Sequence, residues 1–415
     1  MKKFIFNLFF STLSLHGFAQ GNVYKQETGK FEGLAMTPPM GWNSWNTFDT
    51  NIDEKLVKET ADIMVSSGMA IAGYKYIVLD DGWMAKERDQ NGNLVTDSIK
   101  FPSGMKSLIE YVHSKGLKFG LYNCAGTKTC QGYPGTRGFE YQDARFYSKL
   151  GIDFLKYDWC NTAGINAPEA FATMSNALKT AQRPIVFSLC EWGENNPWDW
   201  GKPIGNLWRI TGDISPCFDC EEKHSGNWSS WGVMKIIEMR KDIRKFSGPD
   251  HWNDFDMLEV GNGMTNIEDK THFTMWCMMA SPLIAGNDFR KMSKETLAIL
   301  TNKNLISVNQ DKLGIQAFKF STKDGIEVWA KPLSDGAWAI TFLNRTEVNK
   351  KIDFDWTKNP IKDLDFGYEA DFSSTIFKIK DLWKNKEVGT SKKSFTDHIA
   401  SHEVITVKLI PHSTN

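Results

Sequence analysis

Short, unbroken apolar runs alternate along this chain with segments whose apolar residues recur three and four positions apart. Tyr76-Ile77-Val78-Leu79 is of the first kind, as is Ile152-Asp153-Phe154-Leu155 but for Asp153; both have the pattern of strands buried on both faces. The second kind predicts amphipathic helices. Asp53 to Ser67 carries Leu56, Val57, Ala61, Ile63 and Met64 and stops at Gly68; Ser103 to Lys115 carries Met105, Leu108, Ile109 and Val112 and stops at Gly116. Pro168 to Thr180 and Val233 to Phe246 repeat the pattern. From Thr37 to about Asp311 the two kinds alternate every 30–40 residues or so, roughly the length of a βα unit. Predicted strands end near Asn43, Asp80, Tyr122, Asp158, Cys190, Asp213, Asp256 and Ala285, and eight is the number that closes a (β/α)8 TIM barrel. An open doubly wound sheet competes, but no GxGxxG follows the first strand.

Past about Leu313 the period changes. Gly325 to Lys331 and Ala337 to Phe342 read as strands joined by a turn at Ser334-Asp335-Gly336, and Val404 to Leu409 alternates cleanly. The expected organisation is α/β: a leader over residues 1–19, a catalytic barrel over 20–312, and an antiparallel β domain over 313–415 that packs on the barrel.

A chain of 415 residues is too long for one ordinary core, which agrees with two domains. The net charge of -1 gives no electrostatic footprint for nucleic acid or an anionic membrane. Lys2 and Lys3, the apolar stretch Phe4 to Leu15 and the small residues around Gly17-Phe18-Ala19 predict a leader cut before Gln20. That stretch is too short for a membrane anchor and includes Asn7 and Ser11. The protein is therefore expected to be exported, to the periplasm or beyond the cell. Export permits disulfides, and seven cysteines, an odd number, leave at least one thiol free unless chains pair. Cys217-Phe218-Asp219-Cys220 reads as a local bridge, a redox pair, plain thiols or a metal knuckle. No second CxxC and no HExxH accompanies it, so no metal and no cofactor is expected.

Chemistry enters with five acidic segments just past apolar runs: Asp80-Asp81-Gly82-Trp83, Lys156-Tyr157-Asp158-Trp159, Cys190-Glu191-Trp192, Arg209-Ile210-Thr211-Gly212-Asp213 and Trp252-Asn253-Asp254-Phe255-Asp256. Carboxylates at the carboxyl ends of parallel strands converge on one rim, where barrel enzymes work. Asp158 has the plain role of a helix cap and the functional role of a nucleophile. Lys156, two residues away on the same side of a strand, would hold it ionised. Asp213 is a turn residue or a general acid whose proton is kept by burial or by the Asp158 charge. Asp80 and Asp81 repel each other unless donors such as sugar hydroxyls meet them, and Asp256 is similar in kind. Arg209 either holds a carboxylate or contacts a ring hydroxyl. Trp42, Trp45, Trp83, Trp159, Trp192 and Trp252 fall at predicted strand ends and would stack on sugars, with Tyr122 of the same type. Paired acids among aromatics point to glycosidic bonds.

These motifs are recognisable together. Thr37-Pro38-Pro39-Met40-Gly41-Trp42-Asn43-Ser44-Trp45 and the five segments, in this order, resemble the glycoside hydrolase family 27 α-galactosidases over roughly Leu34 to Phe342. The resemblance implies a retaining exo-glycosidase for terminal α-linked galactose, with a C-terminal β-sandwich and a galactoside glycan as its partner. Asp158 matches the nucleophile and Asp213 the acid/base. Trp45, Asp80, Asp81, Tyr122, Lys156, Arg209 and Asp256 match positions that hold the sugar; the pair at Asp80 and Asp81 binds the 4- and 6-hydroxyls. Cys190 and Trp192 match a pocket around the 2-hydroxyl that disfavours N-acetylgalactosamine. Cys130 and Cys160 match a disulfide near the site. Family members include monomers and larger assemblies. Two departures, Cys124 where many members have Asp and the Cys217 to Cys220 loop, bear on what the galactose is attached to. The alternatives are α-N-acetylgalactosaminidase, β-L-arabinopyranosidase, a transglycosidase, or a sugar-binding barrel without turnover.

Overall fold

The computed structural model describes residues 29–412 apart from Asn227, so the expected leader lies outside the described residues. Eight parallel strands form one sheet: Met40–Asn43, Tyr76–Leu79, Lys118–Cys124, Phe154–Asp158, Val186–Cys190, Leu207–Arg209, Trp252–Asp254 and Leu283–Ala285, the last lying beside the first. The ring closes past the seventh strand. Leu258 bridges Ala285, its amide donating to Ile284 at 2.8 Å and its carbonyl accepting from Gly286 at 3.0 Å. The architecture is a (β/α)8 barrel.

The unbroken apolar runs have a simple cause. Ile77 and Leu79 pack outward among the helices, while Tyr76 and Val78 point into the barrel with Phe154, Val186, Leu207 and Trp252. Both faces are dry, so neither alternates with polar residues. Tyr76, Phe154, Val186, Leu207 and Trp252 each open their strand, so this inner cluster plugs the amino-terminal end of the barrel.

Asp53 caps the helix Glu54–Ser66, its carboxylate accepting from the Leu56 amide at 2.7 Å, and Asn166 caps Ala167–Thr180. The helix Met105–Ser114 lies within its predicted span. Val233 to Phe246 differs: the α-helix stops at Met239 and a 3-10 segment, Lys241–Phe246, follows. Tertiary tethers on both sides of the break fix this geometry. Arg240 reaches back to the Ile210 carbonyl, and Arg244 reaches across to the second domain.

That domain is antiparallel. A six-stranded sheet runs Phe318–Lys323, Ile326–Pro332, Trp338–Asn344, Val404–Pro411, Phe377–Asp381 and Lys386–Thr390 in spatial order. It is faced by the pairs Lys350–Phe354 with Phe395–Ile399 and Ile361–Asp363 with Tyr368–Ala370. Trp338, Ile340 and Phe342 point into the sandwich, where Phe342 stacks on Phe395. Ala339 and Leu343, the alternate residues, join the barrel core together with Trp329. The period of two thus divides one strand between two cores.

A buried ion pair fastens the domains. Arg244 donates to both carboxylate oxygens of Asp363, at 2.8 and 2.6 Å, and to the Gln316 carbonyl. Both residues are almost fully buried. Arg244→Ala strands the Asp363 charge and should cost about 3–5 kcal/mol of stability. Calorimetry should show a lower Tm with KM unchanged, and an unaltered Tm would refute the lock.

Candidate active site

The predicted acids, Lys156 and Arg209, with Trp45, Tyr122, Cys190 and Trp192, lie at or just past the carboxyl ends of the barrel strands, the end opposite the aromatic plug. Strand register places them. Tyr122, Lys156 and Ser188 are in register across the third, fourth and fifth strands, and Cys124, Asp158 and Cys190 form the next inward-facing row. On the sixth and seventh strands Arg209 is level with Asp254.

Asp80 is held from three sides. Its carboxylate accepts from Lys156 Nζ at 2.7 Å, from Asn43 Nδ2 at 2.8 Å and from the Asp81 amide at 3.0 Å. The same Asn43 takes the Trp45 amide on its Oδ1, so the first strand links the indole to the acid pair. Asp81 is met by the amides of Gly82 and Gln131. Burial nevertheless pushes its carboxyl up to about 6, and the Asp80 charge adds to this.

Asp158 is 5% exposed and accepts from the Trp159 amide at 2.8 Å. Burial pushes its carboxyl up to about 7; Lys156 pulls it down, while the charges of Asp213 and Asp80 push it up. Burial thus outweighs the attraction of Lys156, whose ammonium also pairs with Asp80 at 2.7 Å. Asp158 also lies within 4.8 Å of both sulfurs of the Cys130–Cys160 disulfide. Tyr122 donates to Cys130 Sγ at 3.2 Å, and its ring lies 5.3 Å from the Lys156 ammonium.

Asp213 stands differently from expectation. The sixth strand stops at Arg209, so Asp213 projects from a loop and its side chain is 42% exposed rather than buried. The chain turns because Arg209 Nη2 bonds the Thr211 carbonyl, and Trp231 Nε1 would lie 3.1 Å from any Cβ at Gly212. Arg209 joins Asp213 at 3.0 Å and Asp256 at 2.7 Å, and its Nη1 lies 3.8 Å from Cys190 Sγ. Asp256 is held at φ +83° by the Ile214 and Met257 amides, and Trp192 at φ +59°. Non-glycine residues rarely adopt such a backbone, and they gather at functional sites.

Four of the six tryptophans do not lie open at the rim as expected. Trp42, Trp83, Trp159 and Trp252 are buried, and only Trp45 and Trp192 of the six are half open. Trp42 and Trp83 spend their indole N–H on the carbonyls of Asn287 and Tyr122, and Trp159 stacks on Phe171. Trp252 opens its strand and bonds Ala35 at the far end of the barrel. A sequence run marks a strand but not which of its ends a residue occupies.

Three residues enter that the sequence reading left without a role. Asn43 ties Trp45 to Asp80. Asp254, pushed up to about 6 by burial, takes the Asp256 amide beneath Arg209. Glu191 accepts from both nitrogens of Asn195 and pins the turn that carries Trp192. Each lay in a quoted motif, so proximity to a recognised acid was the available signal. Cys217 and Cys220 form a local disulfide, while Cys124, Cys190 and Cys277 are free and buried.

Taken together, the carboxyl groups of Asp80, Asp81, Asp158, Asp213, Asp254 and Asp256 surround two cations, Lys156 and Arg209. Such a pocket favours positive charge developing on a bound ring, and its buried acceptors favour hydroxyl donors.

Residues 37–311 match the family described as alpha galactosidase A, and residues 323–409 match the alpha galactosidase C-terminal beta sandwich domain. Alpha-galactosidase A of Cellvibrio japonicus is 52% identical over 382 residues, 92% of this chain and 94% of the relative. Alpha-galactosidase I from Mortierella vinacea superposes with a TM-score of 0.84 at 35% identity, over 91% of this chain and 98% of that one. The Saccharomyces cerevisiae enzyme solved with raffinose gives a TM-score of 0.82 at 29% identity, over 92% and 99%. With the barrel, the sandwich and the acid-lined rim all present in one chain, this protein belongs to the glycoside hydrolase family 27 α-galactosidases.

Proposed function

We propose that the protein is a retaining exo-α-galactosidase that releases terminal α-linked galactose from oligo- or polysaccharides. The observation that carries the reading is the rim's set of acids: Asp158, buried at the end of the fourth strand, Asp213 and Asp256 joined to Arg209 at 3.0 and 2.7 Å, and Asp80 joined to Lys156 at 2.7 Å. In the first step an Asp158 oxygen bonds the anomeric carbon as the glycosidic C–O bond breaks, and Asp213 gives its proton to the departing oxygen. In the second step the Asp213 carboxylate takes a proton from water, the water oxygen bonds the anomeric carbon, and the Asp158 ester bond breaks. Retention calls for the two carboxyls to stand about 5–5.5 Å apart with galactose bound.

Asp80 and Asp81 are assigned the 4- and 6-hydroxyls, Cys190 and Trp192 the wall beside the 2-hydroxyl, and Trp45 and Tyr122 the ring faces. Raffinose, present with the yeast relative, is a reasonable small substrate. The two disulfides support export to the periplasm or beyond; among the described residues no helix is long and apolar enough to cross a membrane.

A panel of aryl glycosides tests the specificity. The α-galactoside should exceed the β-L-arabinopyranoside, which lacks the 6-hydroxyl, by about tenfold or more in kcat/KM, because the acceptor built for that hydroxyl is left unpaired. The α-N-acetylgalactosaminide should be slower still. Equal turnover of the arabinopyranoside would overturn the galactose assignment.

A further inference from the structure

The segment after Asp213 is a hairpin that the sequence reading treats as loop. Glu221–His224 pairs with Trp228–Trp231. Its base is sewn to the acid/base residue: the Trp231 amide donates to the Asp213 carbonyl at 2.8 Å, and the Ser215 amide returns a bond to the Trp231 carbonyl at 2.9 Å. The Cys217–Cys220 disulfide closes the loop beside it, and the Gly232 amide donates to the Cys220 carbonyl.

The hairpin carries an unusual aromatic pair. Trp228 is 48% exposed, the only tryptophan so exposed among the described residues. One face of its indole is backed by the His224 ring, with centroids 3.9 Å apart and planes 20° apart. His224 Nε2 is hydrogen-bonded to Ser230 Oγ at 2.7 Å, and Ser230 to Ser215 Oγ at 2.6 Å; Ser215 donates to Glu222 at 2.9 Å. A polar chain thus runs from the imidazole to a residue two positions after Asp213. It fixes the aromatic pair relative to the catalytic loop and leaves indole surface open to solvent. Tryptophan is highly buried on average, and its amphipathic ring is enriched at contact surfaces, where one face is apolar and its edge wet.

Reaction chemistry suggests the occupant. A general acid must touch the oxygen that leaves, so the leaving sugar lies beside Asp213 and its continuation passes the element anchored there. An indole with an amphipathic rim suits the C–H face of a pyranose, whose edge hydroxyls stay in water. We infer that the hairpin of Glu221–His224 and Trp228–Trp231 is an aglycone subsite, with Trp228 on its His224 support as the platform for a pyranose of the glycan chain that bears the galactose. This inference rests on the proposed function and adds to it a binding site for the sugar chain that bears the galactose.

The test compares two substrates in the unsubstituted protein and in Trp228→Ala. Methyl α-galactoside needs the same proton from Asp213, but its leaving group is too small to reach the hairpin; a galactosylated manno-oligosaccharide reaches it. Trp228→Ala should lower kcat/KM on the oligosaccharide by roughly tenfold, mainly through KM, and leave the methyl galactoside unchanged. Trp228→Tyr should recover most of the loss. An unchanged ratio between the two substrates overturns the platform alone. A parallel loss on both, restored by Trp228→Tyr, makes the hairpin a support for Asp213 and also overturns it. An unsubstituted protein inert on both substrates would overturn the proposed function itself, and the platform with it.

Discussion

Asp158→Asn is expected to lose activity by ~10⁴-fold or more while the fold becomes more stable at pH 8. The activity loss follows from chemistry: an amide cannot form the glycosyl ester. The stability gain follows from burial. In the folded protein the Asp158 carboxyl is pushed from 3.8 up to about 7, chiefly by removal from water. A carboxyl raised on folding adds stability below its unfolded pKa and loses that contribution as pH climbs through the folded value. Between pH 4 and pH 7 the wild-type protein should thus give up as much as about 4 kcal/mol through this one group. The asparagine gives up none and still accepts the Trp159 amide through its Oδ1. The Tm of the variant should exceed that of the wild type by several degrees at pH 8, with the gap closing toward pH 4. A gap of equal size at both pH values would show that the carboxylate is not strained, and residual turnover above about one part in a hundred would remove Asp158 from the nucleophile's role.

Asp213→Ala should divide substrates by their leaving groups. With raffinose or an alkyl galactoside the departing oxygen needs a proton, and kcat/KM should fall by about 10²–10⁴-fold. With α-galactosyl fluoride or a dinitrophenyl galactoside the first step proceeds without it, so the fall should be far smaller and the glycosyl-enzyme should accumulate. Added azide, which needs no deprotonation, should then speed turnover and yield the α-galactosyl azide, retention being preserved through Asp158. The β-azide would place the nucleophile elsewhere. The fold should tolerate the change, because the side chain is half open and Arg209 keeps its 2.7 Å partner Asp256.

Both expectations depend on a distinction between local and non-local physics. The strands were legible because parallel strands are dry on both faces: Tyr76 to Leu79 contains no polar residue for a purely local reason. The acids past each run were legible for the same reason, as were the helix caps Asp53 and Asn166. The ordered set of motifs added the roles of Asp158 and Asp213. Charge balance was harder to read. Lys156 sits two residues from Asp158, and spacing alone pairs them; the folded barrel instead brings Asp80 from another strand to 2.7 Å from its ammonium. Burial then outweighs the attraction that spacing suggested. Trp252 shows the same limit, since a residue at the start of a short strand and one at its end have similar neighbours in sequence and opposite ends of the barrel in space. Arg244 and Asp363 lie in separate domains, 119 positions apart, so no window of sequence contains both.

The chain by itself determined the barrel, the sandwich and the identity of the acids on the rim, because hydrophobic period and residue type act over a few positions. Tertiary structure alone decided which acid each cation meets, that Asp213 leans into solvent from beyond its strand, and that a tryptophan–histidine stack stands on the hairpin that follows it. Those outcomes depend on distances between distant segments and on the water excluded when they close together, and neither quantity exists until the chain has folded.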